Sequence, residues 1–159
     1  VDLWLTLRIG ANETLLHAAS HSQVLAIKDA TGDLERAPWV INETSLAVYS
    51  GDDSLNLAWF ASGAVGVVSV VSHVAGNATR DLLTAVEAGG LDRARELNKE
   101  IQVLVEALMS HTPGAIASKT AMRLLGVLDS AAVRLPLVEP DEAIVEAIRT
   151  ALRSANLLS

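Results

Sequence analysis

The chain has 159 residues, half of them hydrophobic and 19% charged, with a formal net charge of −7 and no cysteine. That length sets a prior of one domain, and so rich a supply of core residues suits part of a larger buried structure or an obligate oligomer better than a free small domain. The acidic balance argues against nucleic-acid binding, since the densest basic stretch (Arg93, Arg95, Lys99) is interrupted by Glu96 and Glu100, and the lack of cysteine excludes disulfides and thiolate metal sites and fits a reducing cytoplasm.

In chain order, Val1 to Ile9 is apolar but has no basic n-region, so it does not read as a signal peptide. The absence of an initiating Met points to truncation or an unusual start. Asn12 is placed to cap a helix to about Ser20, with Leu15, Leu16 and Ala19 on one face. Val24 to Lys28 reads as a strand buried on both faces. After the Thr31-Gly32 break, Asp33 caps a short expected helix, Leu34 to Ala37, which Pro38 ends or kinks. Leu46 to Tyr49 is a second apolar strand. Asp53 or Ser54 then caps a helix through Leu55, Ala58, Trp59 and Ala61, closed by Gly63. Val65 to Val71 is a third strand pattern.

The strand ends fall near Lys28, Ser50 and Val70, a spacing that suits βα repeats of a parallel sheet or barrel. Ser54 to Thr79 contains no Asp, Glu, Lys or Arg and is long enough to span a bilayer. Its polar residues and its change from helical to β-branched pattern favour a helix followed by a buried strand. Beyond Asn77 the pattern is helical only: Ala78 to about Ala88, stopped at Gly89-Gly90; Asp92 to about Ser110, with Leu97, Ile101, Leu104, Val105, Leu108 and Met109 on one face; and Ala117 to about Leu125 after the Thr112-Pro113-Gly114 break. Val133 to Leu137 is an extended linker. The last helix, Asp141 to Ser154, is expected to bury Ile144, Ala147, Ile148, Ala151 and Leu152.

Lys28 is the most informative residue, because the carboxyl end of a strand is where α/β barrels place catalysis. An amine among apolar neighbours is pushed toward its neutral form. A neutral amine can attack a ketone to form a Schiff base, which acts as an electron sink. The competing structural reading is an ion pair with Asp29 or Asp33.

Asp52 and Asp53 are adjacent, so on an extended segment their side chains point apart; capping and a tight glycine turn explain Ser50-Gly51-Asp52-Asp53 better than a metal. Gly66 and Ser69 in the third strand could admit a small ligand to the backbone, or could reflect packing alone. His17 and His21 have the spacing of a helical metal pair but lack further ligands, and the glutamate of the zinc-protease motif is missing; they read as surface histidines. His73 and His111 are isolated, and neither a phosphate loop nor a nucleophile elbow is present. No metal and no cofactor are expected.

These segments together resemble the dihydrodipicolinate synthase family. Val24-Leu25-Ala26-Ile27-Lys28-Asp29-Ala30 with Gly32-Asp33-Leu34 resembles its lysine strand. Tyr49-Ser50-Gly51-Asp52-Asp53 resembles the next strand end, Gly66-Val67-Val68-Ser69-Val70 with His73-Val74-Ala75 the last barrel strand, and Arg134-Leu135-Pro136-Leu137 the link to the final helix. The resemblance runs from about Thr14 to Leu158.

It implies the C-terminal part of an α/β (β/α)8 barrel followed by a helical extension. Residues 1–78 would hold the last three strands and their helices, and 79–159 the last barrel helix and a C-terminal helical domain. It also implies a cytoplasmic homotetramer that condenses pyruvate with aspartate semialdehyde on the route to diaminopimelate and lysine. Lys28 would carry the Schiff base, Val68 would contact pyruvate through its backbone, and Gly51 would line the same pocket.

Two departures stand out. Where the family has an Arg-Ser/Thr-Gly element that holds the semialdehyde carboxylate, this chain reads Trp4-Leu5-Thr6-Leu7, with Arg8 off the motif. The family's tyrosine acid/base, threonine pair and glycine-rich first loops would lie upstream of residue 1. Three strands cannot close a barrel, so the chain alone is expected to be an incompetent fragment from a truncated, frameshifted or decayed gene. Two alternatives remain: a related pyruvate aldolase of the N-acetylneuraminate or keto-deoxy-sugar lyase type, and a non-catalytic oligomerisation module made of residues 78 to 159.

Overall fold

A computed structural model describes the backbone of Leu3–Leu7 and all of residues 12–159. Its tertiary contacts divide the chain into two compact units, one of residues 1–69 and 83–91, the other of residues 70–82 and 92–159.

The first unit is α/β. A four-stranded sheet of β1 (Leu3–Leu7), β2 (Val24–Asp29), β3 (Ala47–Ser50) and β4 (Gly66–Val67) is ordered β1-β2-β3-β4, with every neighbouring pair parallel. Helices α1 (Asn12–Ala19), α2 (Ala37–Glu43) and α3 (Asn56–Ser62) connect the strands. Helix α1 packs on β2, while α2 and α3 pack on β3. The core of this unit holds Leu15, Ile27, Val40, Val48, Trp59 and Phe60. On α1, Leu15 is buried and Leu16 is exposed.

Several boundaries depart from expectation, each for a physical reason. The sheet has four strands rather than three, because Leu3–Leu7 pairs with β2 through Leu3↔Val24 and Leu7↔Asp29. The segment Leu34 to Arg36 is a turn, and the helix starts at Ala37 with Pro38 in its first turn. Proline is tolerated there because the amide it lacks would have no intrahelical acceptor. Asp52, not Asp53 or Ser54, caps the 3-10 turn Asp53–Leu55 that leads into α3, accepting from the Ser54 amide. Gly63 closes α3 as expected, with φ at 111°.

The third strand is far shorter than Val65 to Val71. Pairing with β3 is confined to Tyr49↔Gly66 and Ser50↔Val67, flanked by bonds from the Val65 amide to the Val48 carbonyl (2.9 Å) and from the Val68 amide to the Ser50 carbonyl (2.8 Å). The carbonyls of Val70 and Val71 already accept from His73, Val74 and Ala75. The β-branched run therefore ends inside the start of a helix, where its carbonyls have turn partners instead of a strand.

The second unit is helical. Helix α4 (Ser72–Glu87) begins in it and ends in the first, and it departs from helical dihedrals at Ala75 (φ −125°, ψ 33°). Helices α5 (Leu91–Met109), α6 (Gly114–Leu124) and α7 (Glu142–Ser154) follow, and α6 packs against α7. Helices α4 and α6 start earlier than expected, at Ser72 and Gly114.

Along α5 the expected face is buried except for Met109 at its end. In α7 the buried row is Val145, Ile148, Ala151 and Leu152; Ile144 and Ala147 are only half-buried. The stretch around Arg134 is not fully extended, for the Leu137 amide returns to the Arg134 carbonyl at 3.0 Å. Among the described residues no helix is long and apolar enough to cross a membrane.

Candidate functional site

Alternation along β2 and β3 sorts their side chains onto two faces. Ile27 and Asp29 are fully buried, as are their register partners Val48 and Ser50. Lys28 and Tyr49 face the other way and are half-buried. Lys28 thus stands on the less covered face of the sheet, at the carboxyl end of its strand.

The ends of three strands are tied together there. The Gly51 amide donates to the Asp29 carbonyl at 2.7 Å, and the Val68 amide donates to the Ser50 carbonyl at 2.8 Å. Lys28, Gly51 and Val68 therefore lie at the carboxyl ends of adjacent parallel strands. Gly51 lies against the lysine stem: a Cβ there would fall 2.5 Å from Lys28 Cε, 2.8 Å from Ala30 Cβ and 2.9 Å from the Asp29 carbonyl oxygen. Only a residue without a side chain lets the lysine cross this strand end so closely. Val68 has an exposed side chain beside this edge.

The ion pair weighed as the structural reading of Lys28 does not form with either neighbour. Asp29 points to the opposite, buried face, where its Oδ1 accepts from the Thr31 amide (2.9 Å) and hydroxyl (2.7 Å). Asp33 Oδ1 accepts from the Arg36 amide at 3.2 Å. The ion pairs among the described residues lie on α5 and α7.

The Asp52-Asp53 pair is likewise spent on local structure. Asp52 Oδ1 accepts from the Ser54 amide and hydroxyl at 3.1 and 2.6 Å, and buried Asp53 accepts from Asn56 Nδ2 at 3.1 Å. No metal-holding cluster occurs among the described residues. His17 is exposed on α1, whereas His21 lies beyond that helix and uses its Nδ1 to accept from the Gln23 amide. His73 is an exposed residue at the start of α4, its Nδ1 2.9 Å from the Val70 carbonyl. Arg8 falls outside the described residues.

Sequence reasoning missed one neighbour of Lys28. Tyr49 is its register partner, and Gly66 is the partner of Tyr49 in turn. A Cβ on Gly66 would lie 2.8 Å from Tyr49 Cε1 and 2.9 Å from Cδ1, so the ring reclines over β4. The signal available in sequence was the pair Lys28 and Tyr49, each one residue before the end of its strand.

Parallel strands joined through helices, with a lysine and a glycine clearance at their carboxyl ends, define an α/β protein whose candidate site sits at the strand ends. Comparison with known proteins gives the family. Residues 9–155 match the model of the dihydrodipicolinate synthetase family, and the chain belongs to that family. The 4-hydroxy-tetrahydrodipicolinate synthase of Kineococcus radiotolerans is 44% identical over 145 residues, covering 91% of this chain and 47% of the relative. That of Corynebacterium aurimucosum is 46% identical over 147 residues, covering 92% and 48%. The chain spans about half the length of the curated relatives it matches.

Solved structures agree. The dihydrodipicolinate synthase of Thermotoga maritima superposes with a TM-score of 0.84 at 31% identity, over 92% of this chain and 51% of that one. The chloride-inhibited, pyruvate-complexed enzyme of Acinetobacter baumannii gives 0.84 at 32%, over 93% and 51%. A monomeric dihydrodipicolinate synthase variant gives 0.88 at 29%, over 99% and 56%.

Proposed function

We propose that this chain carries the Schiff-base portion of a lyase that condenses pyruvate with aspartate semialdehyde to 4-hydroxy-tetrahydrodipicolinate, in lysine and diaminopimelate biosynthesis. In this reading residues 1–78 are the C-terminal part of a (β/α)8 barrel, and residues 79–159 are the last barrel helix and the helical extension. In this reading the compartment is the cytoplasm, and the homotetramer is the assembly of the family's whole enzyme.

The observation that carries the reading is Lys28 itself, at a parallel strand end, on the less covered face of the sheet, with its stem crossing Gly51. The lysine amine attacks the ketone carbon of pyruvate and water leaves, giving an imine. The imine draws electrons from the adjacent methyl group, which loses a proton and becomes the nucleophile for an aldehyde. The Val68 backbone and Gly51 border the space where the keto acid would sit. Membership of the dihydrodipicolinate synthetase family, and the chain's similarity to 4-hydroxy-tetrahydrodipicolinate synthases, support this assignment. Acid/base groups beyond these residues would be needed for the full condensation, so the chain alone is read as forming the imine without completing turnover.

The test is borohydride reduction in the presence of radiolabelled pyruvate, followed by peptide mapping. Label on Lys28, absent from Lys28→Ala, is the expected result. A folded chain that takes no label, or takes it on another lysine, would overturn the assignment.

A further inference from the structure

Lys28, Tyr49 and Gly66 form one row across three strands. The only tyrosine of the chain therefore stands beside the proposed Schiff-base lysine on the same face of the sheet. The lysine stem lies over Gly51, two residues beyond Tyr49 on the same face, so an upright Tyr49 ring would flank the amine. The ring reclines over β4. Its Cε1 and Cδ1 occupy the space over Gly66 that a side chain there would fill, at 2.8 and 2.9 Å from a notional Cβ. A tyrosine ring has no flexible end to withdraw, so a methyl group at residue 66 must displace it. On this row the other neighbour of Tyr49 is Lys28.

We propose that Gly66 is a positioning residue: by giving the Tyr49 ring a place over β4, it keeps the ring off the Lys28 amine and leaves that amine open to a small α-keto acid. This rests on the Schiff-base reading of Lys28. Gly66 itself touches neither the amine nor the substrate, and its effect passes through Tyr49.

The test compares rates of borohydride trapping with labelled pyruvate for the wild-type chain, Gly66→Ala, Tyr49→Ala and the double variant, each normalised to folded protein by circular dichroism. Gly66→Ala is expected to trap about 10- to 100-fold more slowly, the scale of a misplaced reacting group. Adding Gly66→Ala to the Tyr49→Ala background should change the rate by less than about 2-fold, because no ring is left to displace. That second comparison decides the matter even where Gly66→Ala alone folds poorly. A double variant that traps as slowly as Gly66→Ala would overturn the proposal, since the methyl group would then act without the tyrosine. Unimpaired trapping by folded Gly66→Ala would also overturn it, while leaving the Schiff-base reading intact. Absence of label from the wild-type chain would remove both.

Discussion

A methyl group placed on Gly51 would lie 2.5 Å from Cε of Lys28, closer than real Cβ atoms come to a neighbour. It would also meet the Asp29 carbonyl oxygen at 2.9 Å, and backbone cannot swing aside as a lysine stem can. Gly51→Ala is therefore expected to cost about 1–3 kcal/mol of stability as overpacking. It should also slow pyruvate trapping on Lys28 beyond what the loss of folded protein explains. Urea unfolding together with trapping per folded molecule checks this; equal trapping would mean that the lysine does not need the clearance.

Asp29 sits next to Lys28 in sequence but is wholly buried on the opposite face, where Oδ1 takes two bonds from Thr31 while Oδ2 has no partner among the described residues. Removing the carboxylate with Asp29→Ala should cost about 1–3 kcal/mol, because the Thr31 donors lose their acceptor in a part-buried site. Asp29→Asn keeps an oxygen where Oδ1 stands and is expected to retain most of the stability. Denaturant midpoints of the three proteins give the order, and an asparagine variant as unstable as the alanine one would show that the Thr31 bonds are not what Asp29 supplies.

Gly63 ends α3 at φ 111°, with its own amide bonded to Phe60 and that of Ala64 to Trp59. A Cβ there would meet nothing nearer than 3.5 Å, so the cost of Gly63→Ala is conformational, not steric crowding. Left-handed backbone costs an L-residue about 1–2 kcal/mol. The melting temperature should fall accordingly. Gly32 also has positive φ, at 75°, so Gly32→Ala should be destabilising, whereas alanine at Gly76, which has open space and no positive φ, should be tolerated.

How much was legible in the sequence follows from which interactions are local. β2 and β3 were readable because Val24 to Lys28 and Leu46 to Tyr49 are apolar runs bounded by turn residues, and Lys28 stood out for its place at the end of one. β1 was not readable, since Trp4-Leu5-Thr6-Leu7 becomes a strand by pairing with β2, a contact across the intervening α1. Val65 to Val71 has the pattern of a strand, but only Gly66–Val67 pairs, and the carbonyls of Val70 and Val71 serve a helix start. The bonds that join the ends of β2, β3 and β4, and the place of Tyr49 over Gly66, depend on strand register, which no run of residues within one strand encodes.

Helix α7 tests the limit of periodicity. Ile144 and Ile148 are one helical turn apart and looked equivalent, yet Ile148 has no exposed surface and Ile144 is only half-buried. The buried row runs through Val145, Ile148 and Leu152 because the core faces the side of the helix on which those residues lie. Truncating Ile148 to alanine removes fully buried methylene groups and leaves a cavity, which costs about 2–5 kcal/mol. Ile144→Ala should cost clearly less, since its site opens toward solvent and can relax. Urea unfolding of the two variants distinguishes the rows: comparable losses would mean that the core extends over Ile144, and a larger loss at Ile144 would reverse the assignment of the buried face.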